Sequence, residues 1–201
     1  GNQIIVLQNP WEQIDQEREP HIKVKSFIMM GSIIVHTILK DSHDTYWFGT
    51  VNGLFRGVLN DGEINITNEY ESNKYDAFRL SNDNVFSLHE DINKNIWVGT
   101  FGGGLNKMVF DTDGKLLKIE YVRKNSGLPD DAIYGMIPEG NEFLWISTDM
   151  GLCKFNIENN TIDVFDVRDG LINNNFRQSA YFKGKSGYYY FGGLNGLTIF
   201  K

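Results

Sequence analysis

Cysteine is almost absent from this 201-residue sequence: Cys153 stands alone. That excludes an internal disulfide framework and any cysteine-built metal site, and it leaves the redox compartment open. Long apolar runs are missing too. The longest, Phe27–Leu39, has 13 residues and is broken by Gly31, Ser32, His36 and Thr37, short of the roughly 20 that a helical membrane span requires. No basic segment leads into an apolar one at the start, so no secretory signal is readable. Cations are few, 19 Lys+Arg against 26 Asp+Glu for a net charge of −7. With no basic block, nucleic acid is excluded as an expected partner. Of the four histidines, His21, His36, His43 and His89, none stands in a metal-ligand spacing, and no Gly-x-Ser-x-Gly elbow occurs. Asp111-Thr112-Asp113-Gly114 opens like a calcium loop but lacks a Glu at the twelfth position, so a hairpin turn describes it better. Phe101-Gly102-Gly103-Gly104 is followed by no Lys-Ser/Thr, which removes a phosphate loop. No cofactor and no catalytic residue are expected.

Glycine and asparagine are abundant, 21 of each, and spread evenly along the chain, the composition of a protein rich in tight turns. Four segments then align: Tyr46-Trp47-Phe48-Gly49-Thr50, Ile96-Trp97-Val98-Gly99-Thr100, Leu144-Trp145-Ile146-Ser147-Thr148 and Tyr189-Tyr190-Phe191-Gly192-Gly193. Each is followed within a few residues by Gly-Leu, at 53, 104, 151 and 196. The central aromatics Trp47, Trp97, Trp145 and Tyr190 lie at intervals of 50, 48 and 45. Short β-rich runs precede them (Ile33–Leu39, Val85–His89, Ile133–Ile137, Phe176–Phe182), and hairpin turns such as Asp61-Gly62, Asp113-Gly114 and Asn159-Asn160 follow. The only helix candidate, Trp11–Glu19, is polar and weak.

The unit is a four-stranded antiparallel meander of about 48 residues whose aromatic strand is apolar on both faces, so each sheet must be covered on both sides by its neighbours. A radial array of such sheets is an all-β propeller. Trp47, Trp97, Trp145 and Tyr190 are expected to pack blade against blade. The expected division is 1–30 as trailing strands of a preceding blade, with Ile22, Val24 and Phe27 pointing inward, then blades at 31–80, 81–125 and 126–170. A last, incomplete blade follows at 171–201. A seven-bladed ring would need about 340 residues, so a fragment of about four blades is expected. The alternative is a closed four-bladed ring completed by an N-terminal strand.

At these residues a family likeness emerges. Asn84-Val85-Phe86-Ser87-Leu88-His89-Glu90-Asp91, then Asn95–Thr100 and Gly103-Gly104-Leu105, resembles the two-component regulator propeller repeat. Gly127-Leu128-Pro129-Asp130-Asp131 resembles its lead-in, Gly170-Leu171-Ile172-Asn173 a looser copy, and Phe191–Phe200 the last blade of such a propeller. Ser147 in place of Gly, and Tyr190 with Gly193 in place of Trp and Thr, depart from the pattern. The resemblance implies a periplasmic sensor segment of a Bacteroides-type hybrid two-component system, in which a histidine kinase lies elsewhere in a membrane-anchored parent. It implies a signal ligand, usually a glycan-derived oligosaccharide.

Propeller ligands meet loops at one face, where turns between second and third strands converge with the blade-to-blade connections. Here those are 51–52, 101–102, 149–150 and 194–195, with 81–84, 128–131 and 171–175. Asn52, Phe101, Asp149, Asn174, Arg177 and Asn195 supply amides, a carboxylate, a cation and an aromatic. Singly each is an ordinary turn residue; as a set they make the expected ligand face. A scaffold for protein interaction or dimerisation, self-associating through open propeller ends, is the second reading. An extracellular carbohydrate-active enzyme is the third, for which Asp130, Asp131, Glu139 and Asp149 are the carboxylates to bring together.

Overall fold

The computed structural model describes residues 33–60, 63–73 and 78–201, together with the backbone of 3–7 and 24–28. Trp11–Glu19, the Asp61-Gly62 turn and the side chains of Ile22, Val24 and Phe27 lie outside the described residues. Two short strands, β1 (Gln3–Leu7) and β2 (Val24–Ile28), pair antiparallel. Four meanders follow in chain order. The first comprises β3 (Val35–Lys40), β4 (Thr45–Thr50), β5 (Gly53–Asn60) and β6 (Glu63–Tyr70). The second comprises β7 (Val85–Glu90), β8 (Ile96–Thr100), β9 (Gly104–Phe110) and β10 (Leu116–Val122). The third comprises β11 (Gly135–Glu139), β12 (Phe143–Thr148), β13 (Gly151–Asn156) and β14 (Ile162–Phe165). The fourth has three strands, β15 (Phe176–Lys183), β16 (Tyr189–Gly193) and β17 (Gly196–Phe200). The first strands β3, β7, β11 and β15 touch one another in turn around the centre, so the sheets are blades of an all-β propeller. Among the described residues no strand pairs with the free edge of β17, and β1 pairs with β2 alone.

Each inter-blade layer is built on a tryptophan. Trp47 lies 5.8 Å from Phe110, Trp97 5.3 Å from Phe155 and Trp145 4.5 Å from Phe200, each a phenylalanine on the third strand of the next blade. Trp47 and Trp97 are fully buried, and each such side chain contributes roughly 3 kcal/mol by leaving water. A cation lies over each ring: Arg56 over Trp47, Lys107 over Trp97 and Lys154 over Trp145, each directly opposite its tryptophan on the third strand. In the last blade the partner opposite Tyr190 is Ile199. Tyr190 stands at the matching position of blade 4. It is half-buried and rests 6.0 Å from Phe182 on the outward face of blade 4, while its neighbour Tyr189 turns inward, 6.3 Å from Trp145. Side chains alternate along a strand, so the two tyrosines must face opposite ways.

Small residues set how closely the blades approach. A Cβ on Gly49 would stand 2.6 Å from Val85 on β7, and one on Gly99 2.6 Å from Ile133 just before β11, each in the next blade. In blade 3 this position is Ser147, and the residue paired with it is Gly135, where a Cβ would stand 2.2 Å from the Tyr181 ring of blade 4. The glycine has moved across the ladder, because Tyr181 fills the space that an inner-strand side chain would need. Gly193 has a similar cause: a Cβ there would meet the Asn173 amide at 2.6 Å.

Candidate ligand-binding face

The turns between second and third strands are tied by one repeated scheme. Thr50, Thr100 and Thr148 donate their hydroxyls to the carbonyls of Gly53, Gly104 and Gly151. The N–H of these glycines, all at positive φ, donates to Asp83 O, Asp131 O and Asn174 O in the lead-in of the next blade, at 2.7, 2.8 and 2.8 Å. The side chains of the same three residues accept from Ser72 N, Lys124 N and Val167 N. Asn174 thus belongs to a three-fold staple between blades, and its Oδ1 is occupied by that role. Asn52 and Asn195 stand exposed at the turn tips of blades 1 and 4.

Phe101, Asp149 and Arg177 come together at the mouth of the propeller. They meet there through the bulged positions of the inner strands. His36, Phe86 and the segment from Arg177 lie within register shifts of β3, β7 and β15, and Tyr134 holds the matching place just before β11. A bulge breaks the alternation and re-aims a side chain, here toward the mouth. Phe86 stacks on Tyr134 at 5.9 Å, and Phe101 lies 5.6 Å from Phe86 and 6.2 Å from Tyr134. The Phe101 ring is 44% exposed, giving the cluster an open aromatic face. Tyr134 donates its hydroxyl to Asp149 Oδ2 at 2.8 Å. Burial, reinforced by that bond, pushes the phenol up to about 12, and the nearby Arg177 charge partly opposes the rise.

His36 links three blades. With Nε2 donating to Asn84 Oδ1 at 3.1 Å and Nδ1 accepting from Gln178 Nε2 at 2.6 Å, the imidazole is satisfied in its neutral form. Its edge rests on Phe86 at 4.8 Å. Burial pushes its pKa down, with the Asn84 bond acting the other way. His36, Phe86, Tyr134 and Gln178 are absent from the sequence-derived set. The signal that points to them is the residue just after the apolar residue that opens each inner run, in Val35-His36, Val85-Phe86, Ile133-Tyr134 and Phe176-Arg177.

The other carboxylates are spent elsewhere. Glu139 accepts from Trp145 Nε1 and Lys154 Nζ at the opposite end of β12, about 20 Å from Asp149 by strand rise. Asp131 holds Lys124 N, and Asp130 accepts from Ala132 N. A cleft of about 480 Å³ at that opposite end, between blades 1 and 2, is lined by Trp47, Arg56, Phe110 and the strand turns carrying Asp41 and Asp111. Both of those aspartates accept backbone N–H bonds within their own turns.

Residues 79–102 match the family model described as two component regulator propeller. Over 170 residues the chain is 29% identical to histidine kinase P4 of Formosa agariphila, covering 83% of this chain and 12% of that protein. It superposes with a TM-score of 0.63 and 21% identity on the extracellular domain of the putative hybrid two component system BT3049 from B. thetaiotaomicron, covering 88% of this chain and 30% of that one. The corresponding domain of BT4673 from the same organism gives a TM-score of 0.65 at 20% identity, covering 86% and 24%. The chain therefore spans a small part of each relative. Residues 79–102 thus match a two component regulator propeller repeat, and the four blades share their fold with the extracellular domains of hybrid two-component systems.

Proposed function

We propose that this chain is a non-catalytic, ligand-binding segment of a periplasmic sensor propeller, belonging to a membrane-anchored hybrid two-component signalling protein that carries its histidine kinase elsewhere. Its ligand is a glycan-derived oligosaccharide. The observation that carries this reading is the aromatic cluster Phe86–Phe101–Tyr134 at the mouth, joined to Asp149 and flanked by Arg177. An open aromatic ring stacks on the C–H face of a sugar, while carboxylate, phenol and guanidinium groups fix its hydroxyls. The dispersal of Glu139, Asp130 and Asp131 to structural bonds supports a binding role over glycoside hydrolysis, which needs two carboxyl groups about 5–9 Å apart across a cleft. Calorimetric titration of a panel of neutral and acidic oligosaccharides tests it: saturable binding is expected, weakened at least tenfold by Phe101→Ala. A panel that yields no heat with the intact propeller region rejects the reading.

A second reading rests on the outward face of blade 4, where Phe182, Leu197 and Ile199 are 64, 52 and 52% exposed. It is self-association through this face, in a sensor dimer or against a further propeller segment. Sedimentation velocity checks it. Concentration-dependent association lost in Phe182→Ser supports it, and a strictly monomeric intact region counts against it.

A further inference from the structure

We infer that the cleft between blades 1 and 2 on the loop side, flanked by Arg79 and Arg123, is an oxyanion-binding subsite, separate from the aromatic mouth. The cleft has a volume of about 350 Å³ and is lined by Ser72, Arg79, Leu80, Ser81, Tyr121 and Arg123. Its two arginines come from different blades, and Tyr121 ties the Arg79 backbone to the strand that leads into Arg123. Tyr121 donates its hydroxyl to Arg79 O at 2.7 Å, and the Arg123 guanidinium lies 5.3 Å from the Tyr121 ring. Both guanidinium groups line the same cleft, and among the described residues no carboxylate reaches either. Arg168, by contrast, is bound to Asp166, and Lys124 sits 3.6 Å from Asp130.

The carboxylate of Asp83 does not serve as their counter-ion: it accepts from Ser72 N and Ser72 Oγ. Ser81 is held as well, its N–H by Asn106 Oδ1 and its Oγ by Asn106 Nδ2, so the cleft floor is fixed before any ligand arrives. Guanidinium forks match the planar edge of a carboxylate or two oxygens of a sulfate, and each bond is charge-assisted. The cleft also adjoins the turn that carries Phe101. Gly103 lies so close to Ser81 that a Cβ would stand 2.4 Å from its Oγ. An anion seated between the arginines lies beside the aromatic mouth, and a sugar bearing a carboxylate or sulfate group reaches both. Only that bridging step rests on the ligand reading of the mouth; the cleft's anion chemistry does not.

The experiment titrates the full chain with sodium sulfate, with digalacturonate and with neutral galactobiose at constant ionic strength. Wild type is expected to bind sulfate and digalacturonate, and the double variant Arg79→Gln/Arg123→Gln to bind both at least tenfold more weakly, with its melting temperature unchanged. Phe101→Ala is expected to weaken digalacturonate and leave sulfate untouched. Sulfate binding without digalacturonate binding supports the cleft and identifies a free oxyanion as its source. Failure of wild type to bind either anion, or equal binding by the double variant, overturns the proposal. Loss of neutral-sugar binding alone overturns only the reading of the mouth.

Discussion

Trp97 donates its indole N–H to Asp91 Oδ2 at 2.9 Å across a six-residue span, and Trp47 repeats the bond to Asp41 at 2.8 Å. The same carboxylates organise the turn between first and second strands: Asp91 Oδ1 accepts from Asn93 N and Asn95 N, and Asp41 Oδ1 from His43 N and Thr45 N. One buried acid thus fixes the hairpin and sets the rotation of the ring that seals the next blade. In blade 3 Glu139 takes the place and adds Lys154. Replacing Asp91 with Ala leaves the indole and the turn N–H groups without their acceptor, a loss of about 2–4 kcal/mol. Urea denaturation should show this as a lower midpoint, with Asp91→Asn in between.

Gly135 tests the account of how the blades approach. Gly135→Ala drives a methyl into the Tyr181 ring, and overpacking of this kind costs roughly 1–3 kcal/mol or more. Pairing it with Tyr181→Leu should recover part of the loss. Gly102→Ala, by comparison, meets nothing within 4 Å and should cost only the strain of its positive φ. Thermal melts of the four proteins decide the ranking.

Acid should weaken the fold in two separate windows. Burial pushes the His36 and His89 imidazoles down, the latter against the opposing charges of Asp91 and Glu90. A base with a lowered folded pKa leaves the unfolded chain holding more protons below 6.5, so stability is full above that value and falls as pH drops through it. The melting temperature is expected to decline between about pH 7.5 and 5.5, less so in His36→Asn or His89→Asn. Glu139 acts lower: burial raises its carboxyl, but bonds from Lys154 and Trp145 prevail and hold it below 4.5. Its contribution is present above 4.5 and lost beneath it. A flat melting profile from pH 7.5 to 5.5 would remove the histidine argument.

Phe101 separates binding from folding. Its ring is 44% exposed, so Phe101→Ala should change stability by less than about 1 kcal/mol while weakening oligosaccharide binding at least tenfold. Tyr134→Phe removes only the hydroxyl that Asp149 accepts. It should loosen Asp149 and lower affinity without disturbing the stack on Phe86. Calorimetry alongside urea denaturation distinguishes the two effects.

Much of the fold was open to reading because blades are specified locally. The Trp-x-Gly-Thr run, the Gly-Leu that follows and the Asp-Gly turns are short-range signals whose period marks each meander. The bounds of β7 match the expected Val85–His89 within a residue. The two 3-10 turns, Lys124–Ser126 and Val167–Asp169, were not anticipated, since each lies in a polar connection with no apolar period. The binding face was only half legible. Phe101 and Asp149 follow from turn positions, but His36 and Phe86 reach the mouth through bulges and Tyr134 from just before β11, and a bulge leaves no mark in a strand's composition. Asn174 shows the reverse: it sits on the right loop, yet its side chain is used by Val167.

The sequence by itself determined the repeat, the strand order within each blade and the aromatic that each blade offers its neighbour. Alternation and turn chemistry act over a few residues and survive without knowledge of the rest. The tertiary structure decided which side chains share the mouth, why the glycine of blade 3 sits at 135 instead of 147, and how Arg79 and Arg123 come to face one cleft. Those outcomes depend on the distance between sheets, which no single blade encodes and which only packing one blade on the next sets.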